Sequence, residues 1–192
     1  MKPNVKEIAS IQRDNIFYGY INGIVPNIDK ILTHEAGWRG YDLFDDMLTE
    51  SHVWSVFQTR LLAVIGREWA VTPASDRRAD KKAAEFVTNC LLNIDFDSAR
   101  QAILLGLFYG FKVAEILWDY DGSNVVIKDI VGRACRRFVF DVQGRLRLLT
   151  PENMFDGELL PDRKFVLFRN PSIDGSYYGS SLASNGCWLT IL

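Results

Sequence analysis

The spacing of apolar residues changes once along the chain, close to Gly110. Before Gly110, apolar residues recur every three or four positions, which is the spacing of one face of an amphipathic helix. After Gly110 they alternate with polar or small residues, which is typical of half-buried strands. The pattern therefore predicts N-terminal helices packed on antiparallel β-hairpins, an α+β fold, and argues against the βαβ alternation of a parallel sheet.

The helical part of the pattern predicts three long helical segments, over 42–65, 78–93 and 96–108. Ser51 is a good N-cap residue, so we expect the first segment to divide into two helices near 49–52. For the second segment the candidate caps are Ser75 and Asp76, and for the third they are Asp95 and Asp97.

The first 40 residues are less regular than the rest of the chain. Residues 1–24 have no clean period, and we interpret them as an arm that lies on another surface. Pro26 suits the first position of a short helix, which Gly37 and Gly40 would end.

Two hairpins are predicted after Gly110, with turns at Asp121-Gly122 and near Gln143-Gly144. Strands from 111–149 should pair antiparallel, and residues 164–169 should join them. The alternation also predicts a short strand over 67–73. Two stretches are expected to lack regular structure: a loop over 151–162, and the terminal residues 184–192.

The composition is that of a folded domain, with 192 residues, 48% of them apolar and 24% charged. A formal net charge of −2 argues against a protein that coats nucleic acid, although one local basic patch stays compatible with it. The three cysteines are widely spaced and odd in number, so we expect a reducing compartment. No signal peptide or apolar run of about 20 residues is present, which predicts a soluble protein made in the cytoplasm, without a membrane partner.

The motifs of common enzyme classes are missing from the sequence. It contains no GxxxxGK[ST] phosphate loop, no dinucleotide-binding glycine loop and no GxSxG nucleophile turn. His34 and His52 are its only histidines and lie too far apart in sequence for a multi-histidine metal site. We therefore expect no catalytic, cofactor-binding or metal-binding residues, and no enzyme.

Scattered carboxylates leave one enzymatic alternative open, a metal-dependent phosphodiesterase. Its ligands would be drawn from acids that also have simpler interpretations. Acids at 95 and 97 suit a helix N-terminus, where the helix dipole favours negative charge, and acids at 119 and 121 suit a hairpin turn. The candidates are Asp95, Asp97, Glu115, Asp119 and Asp121.

The most distinctive charged feature is an arginine-rich hairpin over 133–147. Its arginines would suit a surface that faces phosphates. The favoured interpretation is a solvated face, or pairing with acids of a neighbouring subunit, for which Asp42, Asp45, Asp46 and Glu50 are suitable partners. Its members are Arg133, Arg136, Arg137, Arg145 and Arg147, against the single acid Asp141.

Cys135 lies inside this hairpin, between Arg133 and Arg136. Neighbouring arginines would lower the pKa of its thiol. A catalytic cysteine also needs a base, and neither histidine is near in sequence, so we expect a structural cysteine.

Short segments spread over 40–183 carry a resemblance that none of them carries alone. In their order along the chain they resemble the portal proteins of Mu-like phages and prophages. The segments include Glu68-Trp-Ala-Val-Thr-Pro-Ala, Leu107-Phe-Tyr-Gly-Phe-Lys-Val-Ala-Glu-Ile-Leu-Trp, Leu146-Arg-Leu-Leu-Thr-Pro-Glu-Asn, Lys164-Phe-Val-Leu-Phe-Arg and Tyr178-Gly-Ser-Ser-Leu.

The resemblance implies a structural protein of the virion, made in the cytoplasm of a bacterial host. Portal proteins form a ring, dodecameric in assembled heads, at one vertex of the capsid. Double-stranded DNA is packaged and ejected through that ring. The implied partners are further copies of the chain, the terminase large subunit, and capsid and head–tail connector proteins. The ring does no ATP chemistry, which agrees with the missing nucleotide motifs.

The sequence pattern and the resemblance together imply a division of the chain into three parts. These are an N-terminal arm with a short helix over 1–40, a portal wing-like domain over 41–183 and a tail over 184–192 that does not match. Family members continue past this point into a long helical stem region, so we expect a fragment or the truncated product of a prophage gene.

Two alternatives to a portal protein remain open at this point, and each predicts something different. A stand-alone DNA-binding module using the Arg133–Arg147 hairpin predicts DNA binding that falls steeply with salt. The metal-dependent phosphodiesterase predicts a tight carboxylate cluster in a cleft.

Overall fold

A computed structural model describes residues 23–36, 39–122, 124–173 and 175–190. Most of the predicted N-terminal arm, residues 1–22, therefore lies outside the described residues, as does Gly37, which was expected to help end the first helix. That helix is shorter than expected. It is one π-helical turn, α1 (Ile31–Glu35), preceded by a short strand, β1 (Ile24–Val25).

The first long helical segment divides into α2 (Asp42–Thr49) and α3 (Ser51–Ile65), as predicted. The expected cap at Ser51 is wrong, because the N-cap residue is Glu50. Its carboxylate accepts hydrogen bonds from the backbone N–H groups of His52 (3.0 Å) and Val53 (2.7 Å). These bonds lower the pKa of Glu50, since they favour its charged form.

The next helices are α4 (Arg78–Leu92), α5 (Phe96–Leu104) and α6 (Gly106–Tyr109). Asp95 caps α5 through its side chain, as predicted. Neither expected cap of α4 is used, because the N-cap position is Arg77, which lies beyond both candidates. The predicted third segment is interrupted at Leu105, and Gly110 ends α6 with a φ of 94° that suits glycine.

The first predicted hairpin is part of a three-stranded antiparallel sheet. Its strands are β2 (Phe111–Asp121), β3 (Asn124–Arg133) and β7 (Phe165–Arg169), in the order β3-β2-β7. Val113 on the central strand faces Arg133 on one side and Leu167 on the other. Helices α4 and α5 pack against β3, and α5 also packs against β2.

The second predicted hairpin belongs to a separate four-stranded sheet in the order β1-β4-β5-β6. Its further strands are β4 (Phe138–Asp141), β5 (Leu146–Thr150) and β6 (Asn153–Leu159). All pairings in both sheets are antiparallel among the described residues, which confirms the predicted α+β class.

Strand β6 corrects the expected loop over 151–162. Its pairing with β5 is interrupted by a wide bulge, since Leu148 faces Glu158 whereas Thr150 faces Asn153. The Asn153 side chain holds the bulge by accepting hydrogen bonds from the backbone N–H groups of Asp156 (3.1 Å) and Gly157 (3.2 Å). Residues 153–159 therefore form a strand although their residue types favour turns. Pairing with β5 and the hydrogen bonds to the Asn153 side chain provide partners for their backbone groups.

Two other predictions are also wrong. Residues 67–73 form no strand, because no other described strand pairs with them; Trp69 packs edge-to-face on Phe96 instead, with ring centroids 5.1 Å apart. Residues 184–192 were expected to lack structure, yet helix α7 spans Leu182–Thr190. Its start is held by Ser181, whose hydroxyl oxygen accepts a bond from the Ser184 N–H at 3.1 Å.

The core lies where the two sheets and the helices meet, and it is rich in aromatic rings. Phe44, Phe111 and Phe140 have no solvent exposure. Phe111 on β2 packs edge-to-face on Phe140 of β4 at 5.4 Å, and the same Phe140 ring packs on Tyr178 at 5.0 Å. These contacts join the two sheets into one core.

Candidate functional site

The structure gives the arginines of the hairpin unequal surroundings. Four make ion pairs with acids of the same chain: Arg133 with Glu115, Arg136 with Asp42, and both Arg145 and Arg147 with Asp141. The fifth, Arg137, is exposed and makes no ion pair with a described residue. The arginines of the predicted hairpin are therefore divided among separate local contacts.

Arg133 is held on the three-stranded sheet, away from the others. Its guanidinium donates two hydrogen bonds, of 2.9 and 2.6 Å, to one carboxylate oxygen of Glu115 on β2. Lys164 approaches the other oxygen of that carboxylate at 3.4 Å. Partial burial acts to raise the pKa of Glu115, but the bonds and charges of Arg133 and Lys164 outweigh it and lower that pKa.

Arg145 and Arg147 converge on Asp141, which is only 3% exposed. One oxygen of Asp141 accepts bonds from the backbone N–H groups of Gln143 (3.0 Å) and Arg145 (2.9 Å), so it holds the hairpin turn. The other accepts a bond from Nε of Arg145 at 2.7 Å. A buried carboxylate needs such compensation, so these two arginines serve the hairpin's own structure.

Arg136 and Arg137 lie in the 3₁₀ turn Cys135–Arg137 between the two sheets. Arg136 donates a 2.8 Å hydrogen bond to Asp42 at the start of α2, and both side chains are more than half exposed. Asp42 had been expected as the partner of an arginine in a neighbouring subunit, and here it pairs within the chain. Exposed pairs of this kind contribute only about 0–1 kcal/mol, so Arg136 stays available to exchange partners.

Cys135 lies between Arg133 and Arg136 in the sequence and is buried. The charge of these arginines does not lower the pKa of its thiol. Its thiol donates to the carbonyl of Phe111, with 3.2 Å between sulfur and oxygen. Burial raises the pKa of Cys135 to about 11, which leaves the thiol protonated near neutral pH. This geometry agrees with the expected structural role.

The carboxylates of the phosphodiesterase alternative occupy separate positions. Asp95 caps α5, Asp97 pairs with Arg100 on the same helix, and Asp119 lies 3.9 Å from Lys128 on the neighbouring strand. Among the described residues, no group of three or more histidine, cysteine, aspartate or glutamate side chains is arranged to hold a metal ion.

Helix α4 carries an exposed row of two cations and one aromatic ring that the hydrophobic pattern did not indicate. The helical spacing of α4 puts Phe86 and Val87 on its apolar face, yet these side chains are 42% and 40% exposed, and Cys90 is the buried residue of that helix. Arg78, Lys82 and Phe86 recur every four residues and so lie in one row along the helix. We call these three residues the α4 row.

A second exposed apolar surface lies on the bulge of β6, at the edge of the four-stranded sheet. Met154 and Phe155 are 65% and 74% exposed there. Gly157 has a φ of 61°, and a Cβ at this position would lie 2.9 Å from the carbonyl oxygen of Leu148, so the bulge requires glycine. We call Met154 and Phe155, with the flanking acids Glu152 and Glu158, the β6 bulge. The hydrophobic pattern of the sequence does not distinguish exposed apolar residues such as Met154 and Phe155 from core residues.

Comparison with known proteins shows which protein family the chain matches. A family model described as "Portal protein of Mu bacteriophage" matches residues 41–192. The matched range includes residues 184–192, which lie outside the segments that carry the resemblance in the sequence. No curated protein matches the chain. None of the helices in the described part of the chain has the length and apolar content needed to cross a membrane.

Proposed function

Because this chain belongs to the family of Mu bacteriophage portal proteins, we propose that it is a subunit of the portal ring at one capsid vertex, through which DNA is packaged and ejected. The observation that carries the proposal is the family match over 41–192, a range that includes strands β2 to β7 and helices α2 to α7. The match confirms the resemblance drawn from the short sequence segments.

The portal assignment implies a set of partners, which we propose for this chain. Copies of the chain form the ring, with twelve subunits as the expected number. The terminase large subunit, capsid proteins and head–tail connector proteins bind the ring from outside, and double-stranded DNA passes through it. The protein is located in the virion after synthesis in the host cytoplasm, and its role is structural, without catalysis.

We further propose that residues 1–40 serve as an arm and that residues 41–183 form the wing-like domain of the portal subunit. Helix α7 continues directly from that domain. Its Ser181 hydroxyl donates a 2.7 Å hydrogen bond to the carbonyl of Phe108, which supports treating α7 as part of the same packed unit.

Within the arginine hairpin, we propose Arg137 as the residue that contacts passing DNA or a neighbouring subunit. Arg133, Arg145 and Arg147 pair with half-buried or buried acids of their own chain, and breaking those pairs would remove part of the compensation of those carboxylates. Arg137 has no such partner among the described residues, so binding a phosphate or an acid costs it no existing ion pair. Arg136, whose pair with Asp42 is exposed, is the next most available.

The proposed function is tested by asking whether the protein enters phage heads. The full chain, carrying an epitope tag, is expressed in a host in which a Mu-like prophage has been induced. We expect antibody–gold label at a single vertex of purified heads in electron micrographs. A tagged capsid protein serves as a control and should label the whole shell. Heads that carry no label, or label spread over all faces, would contradict a portal role.

A further inference from the structure

Two exposed surfaces of the chain have opposite charge around an apolar centre. On the α4 row, Phe86 is 42% exposed, and Arg78 and Lys82 precede it at four-residue intervals. The neighbouring cations Arg77 and Lys81 form ion pairs with Asp80 and Asp76. Arg78 and Lys82 make no ion pair with any residue that the structure describes, so the row keeps two positive charges without ion-pair partners, beside the single exposed acid Glu85.

The β6 bulge has the complementary character. Met154 and Phe155 project at 65% and 74% exposure from an edge strand, and Glu152 and Glu158 flank them in the sequence. The stretch from Pro151 to Asp162 contains four acids and no basic residue. Neither Glu152 nor Glu158 pairs with a cation in the described part of the chain, although Thr150 donates a 3.1 Å hydrogen bond to Glu158.

The two surfaces belong to different parts of the fold. Helix α4 packs on β3 of the three-stranded sheet, whereas β6 is an edge of the four-stranded sheet. A contact that joins two different surfaces of identical chains is head-to-tail, and such contacts close into rings when the rotation between copies allows it. Exposed aromatic side chains with matching charges around them are typical centres of such interfaces.

We propose that the β6 bulge of one copy docks on the α4 row of the next copy. Phe155 and Met154 pack against Phe86, while Glu152 and Glu158 face Arg78 and Lys82. This inference rests on the proposed function, because it identifies the contact through which portal subunits would join. The occupant of each surface is thus a second copy of the same chain.

The head-to-tail geometry allows a mixing experiment with the full chain. Phe86→Ser removes the apolar centre of one surface, and Phe155→Ser removes that of the other. Each variant alone should lose self-association by at least about tenfold in sedimentation velocity over a concentration series. An equimolar mixture should form dimers and nothing larger, because each mixed pair keeps one intact contact. Ile173→Ser, at a fully exposed residue outside both surfaces, is the matched control and should associate like the wild type.

Charge reversal tests the electrostatic part of the contact independently. Lys82→Glu and Glu158→Lys should each weaken association, and the double variant should restore it, because the reversed charges again face each other between copies. The matched controls are Lys30→Glu and Glu68→Lys, which make the same charge changes at exposed positions outside both surfaces. Thermal melting of every variant confirms that it is folded.

The outcomes separate this contact from the proposed function. If the Phe86→Ser and Phe155→Ser variants associate as well as the wild type, the proposed contact is wrong. Ring formation through another surface is unaffected by that result. A mixture of the two variants that stays monomeric overturns the contact as well. A wild-type chain that is monomeric at every concentration also overturns the proposed contact. The labelling of phage heads tests the portal role separately.

Discussion

The hydroxyl of Tyr178 donates a 2.8 Å hydrogen bond to the carbonyl of Val25, a residue 153 positions earlier in the chain. The same oxygen accepts a 3.4 Å bond from the backbone N–H of Phe140 on β4. Tyr178 is only 6% exposed, and burial raises the pKa of its hydroxyl to about 12, so it remains a donor at neutral pH. This single side chain therefore connects the segment before α7 to two strands of the four-stranded sheet.

Tyr178→Phe should lower the free energy of unfolding by about 1–3 kcal/mol, because a buried carbonyl and a buried N–H lose their shared partner. Urea unfolding measures the change. The matched control is Tyr120→Phe, since the Tyr120 side chain is 77% exposed and its hydroxyl has no hydrogen-bond partner among the described residues. Equal stability of Tyr178→Phe and the wild type would show that the bond contributes nothing.

Gly179→Ala, in the segment between β7 and α7, should destabilise the fold more than a glycine substitution at the open turn of the first hairpin. Gly179 has a φ of 72°, and a Cβ there would lie 2.2 Å from the carbonyl oxygen of Gly110 and 2.7 Å from that of Asn170. Strain and overlap together should cost at least about 3 kcal/mol in urea unfolding.

The control for this substitution is Gly122→Ala. Gly122 has a similar φ of 60°, but no atom lies within 4 Å of a Cβ built there. It should cost only the conformational penalty of about 1–2 kcal/mol. Equal losses for the two variants would show that backbone conformation, and not close packing at Gly179, sets the cost.

Arg137→Ala should weaken binding to duplex DNA without changing the melting temperature. Loss of one phosphate contact reduces the slope of log affinity against log salt concentration by about 0.9. Fluorescence anisotropy with a labelled duplex across a salt series measures the slope. Arg145→Ala is the comparison, and it should lower stability through Asp141 while leaving the slope unchanged. The opposite result for the two variants would exclude Arg137 as the DNA contact.

Glu115 should contribute to the dependence of stability on pH. Its pKa is lower in the folded chain than the ordinary value of 4.5, so its contribution is present above pH 4.5 and is lost as the pH falls through the folded pKa. Glu115→Gln should therefore be less stable than the wild type at pH 7 by about 1–2 kcal/mol, with a gap that narrows below pH 4.5.

Urea unfolding at a series of pH values measures this gap. Glu68→Gln is the control, because Glu68 is exposed and has no ion-pair partner in the described ranges, so its variant should follow the wild type at every pH. A gap for Glu115→Gln that stays constant from pH 7 to pH 3 would mean that the Arg133 pair does not titrate with folding.

Local periodicity was sufficient for most of the helices and for both hairpins. Helix α2 buries Phe44 on the face that its spacing indicated. Helix α3 buries Phe57, but Val56 of the same apolar stripe is 47% exposed, and the residues of the α4 row are exposed as well. The turn at Asp121-Gly122 follows from residue types that tolerate the required backbone angles. In each case the physical cause acts over a few neighbouring residues, and so it can be read from the sequence.

The errors arise where the cause lies far away in the chain. Strand β6 depends on pairing with β5 and on the Asn153 bridge, while residues 67–73 alternate equally well but meet no partner strand. Helix α7 begins at Leu182 and is capped by Ser181, whose hydroxyl is fixed by its hydrogen bond to the carbonyl of Phe108.

The candidate site shows the same difference between local causes and causes far away in the chain. The sequence by itself determined that five arginines lie close together along the chain, between residues 133 and 147, and that the chain resembles a portal protein. Only the tertiary structure decided that Arg136 meets Asp42, 94 positions away, and that Arg137 meets no acid among the described residues. Ion pairing depends on distance in space, and the packing of the two sheets brings these residues together or keeps them apart.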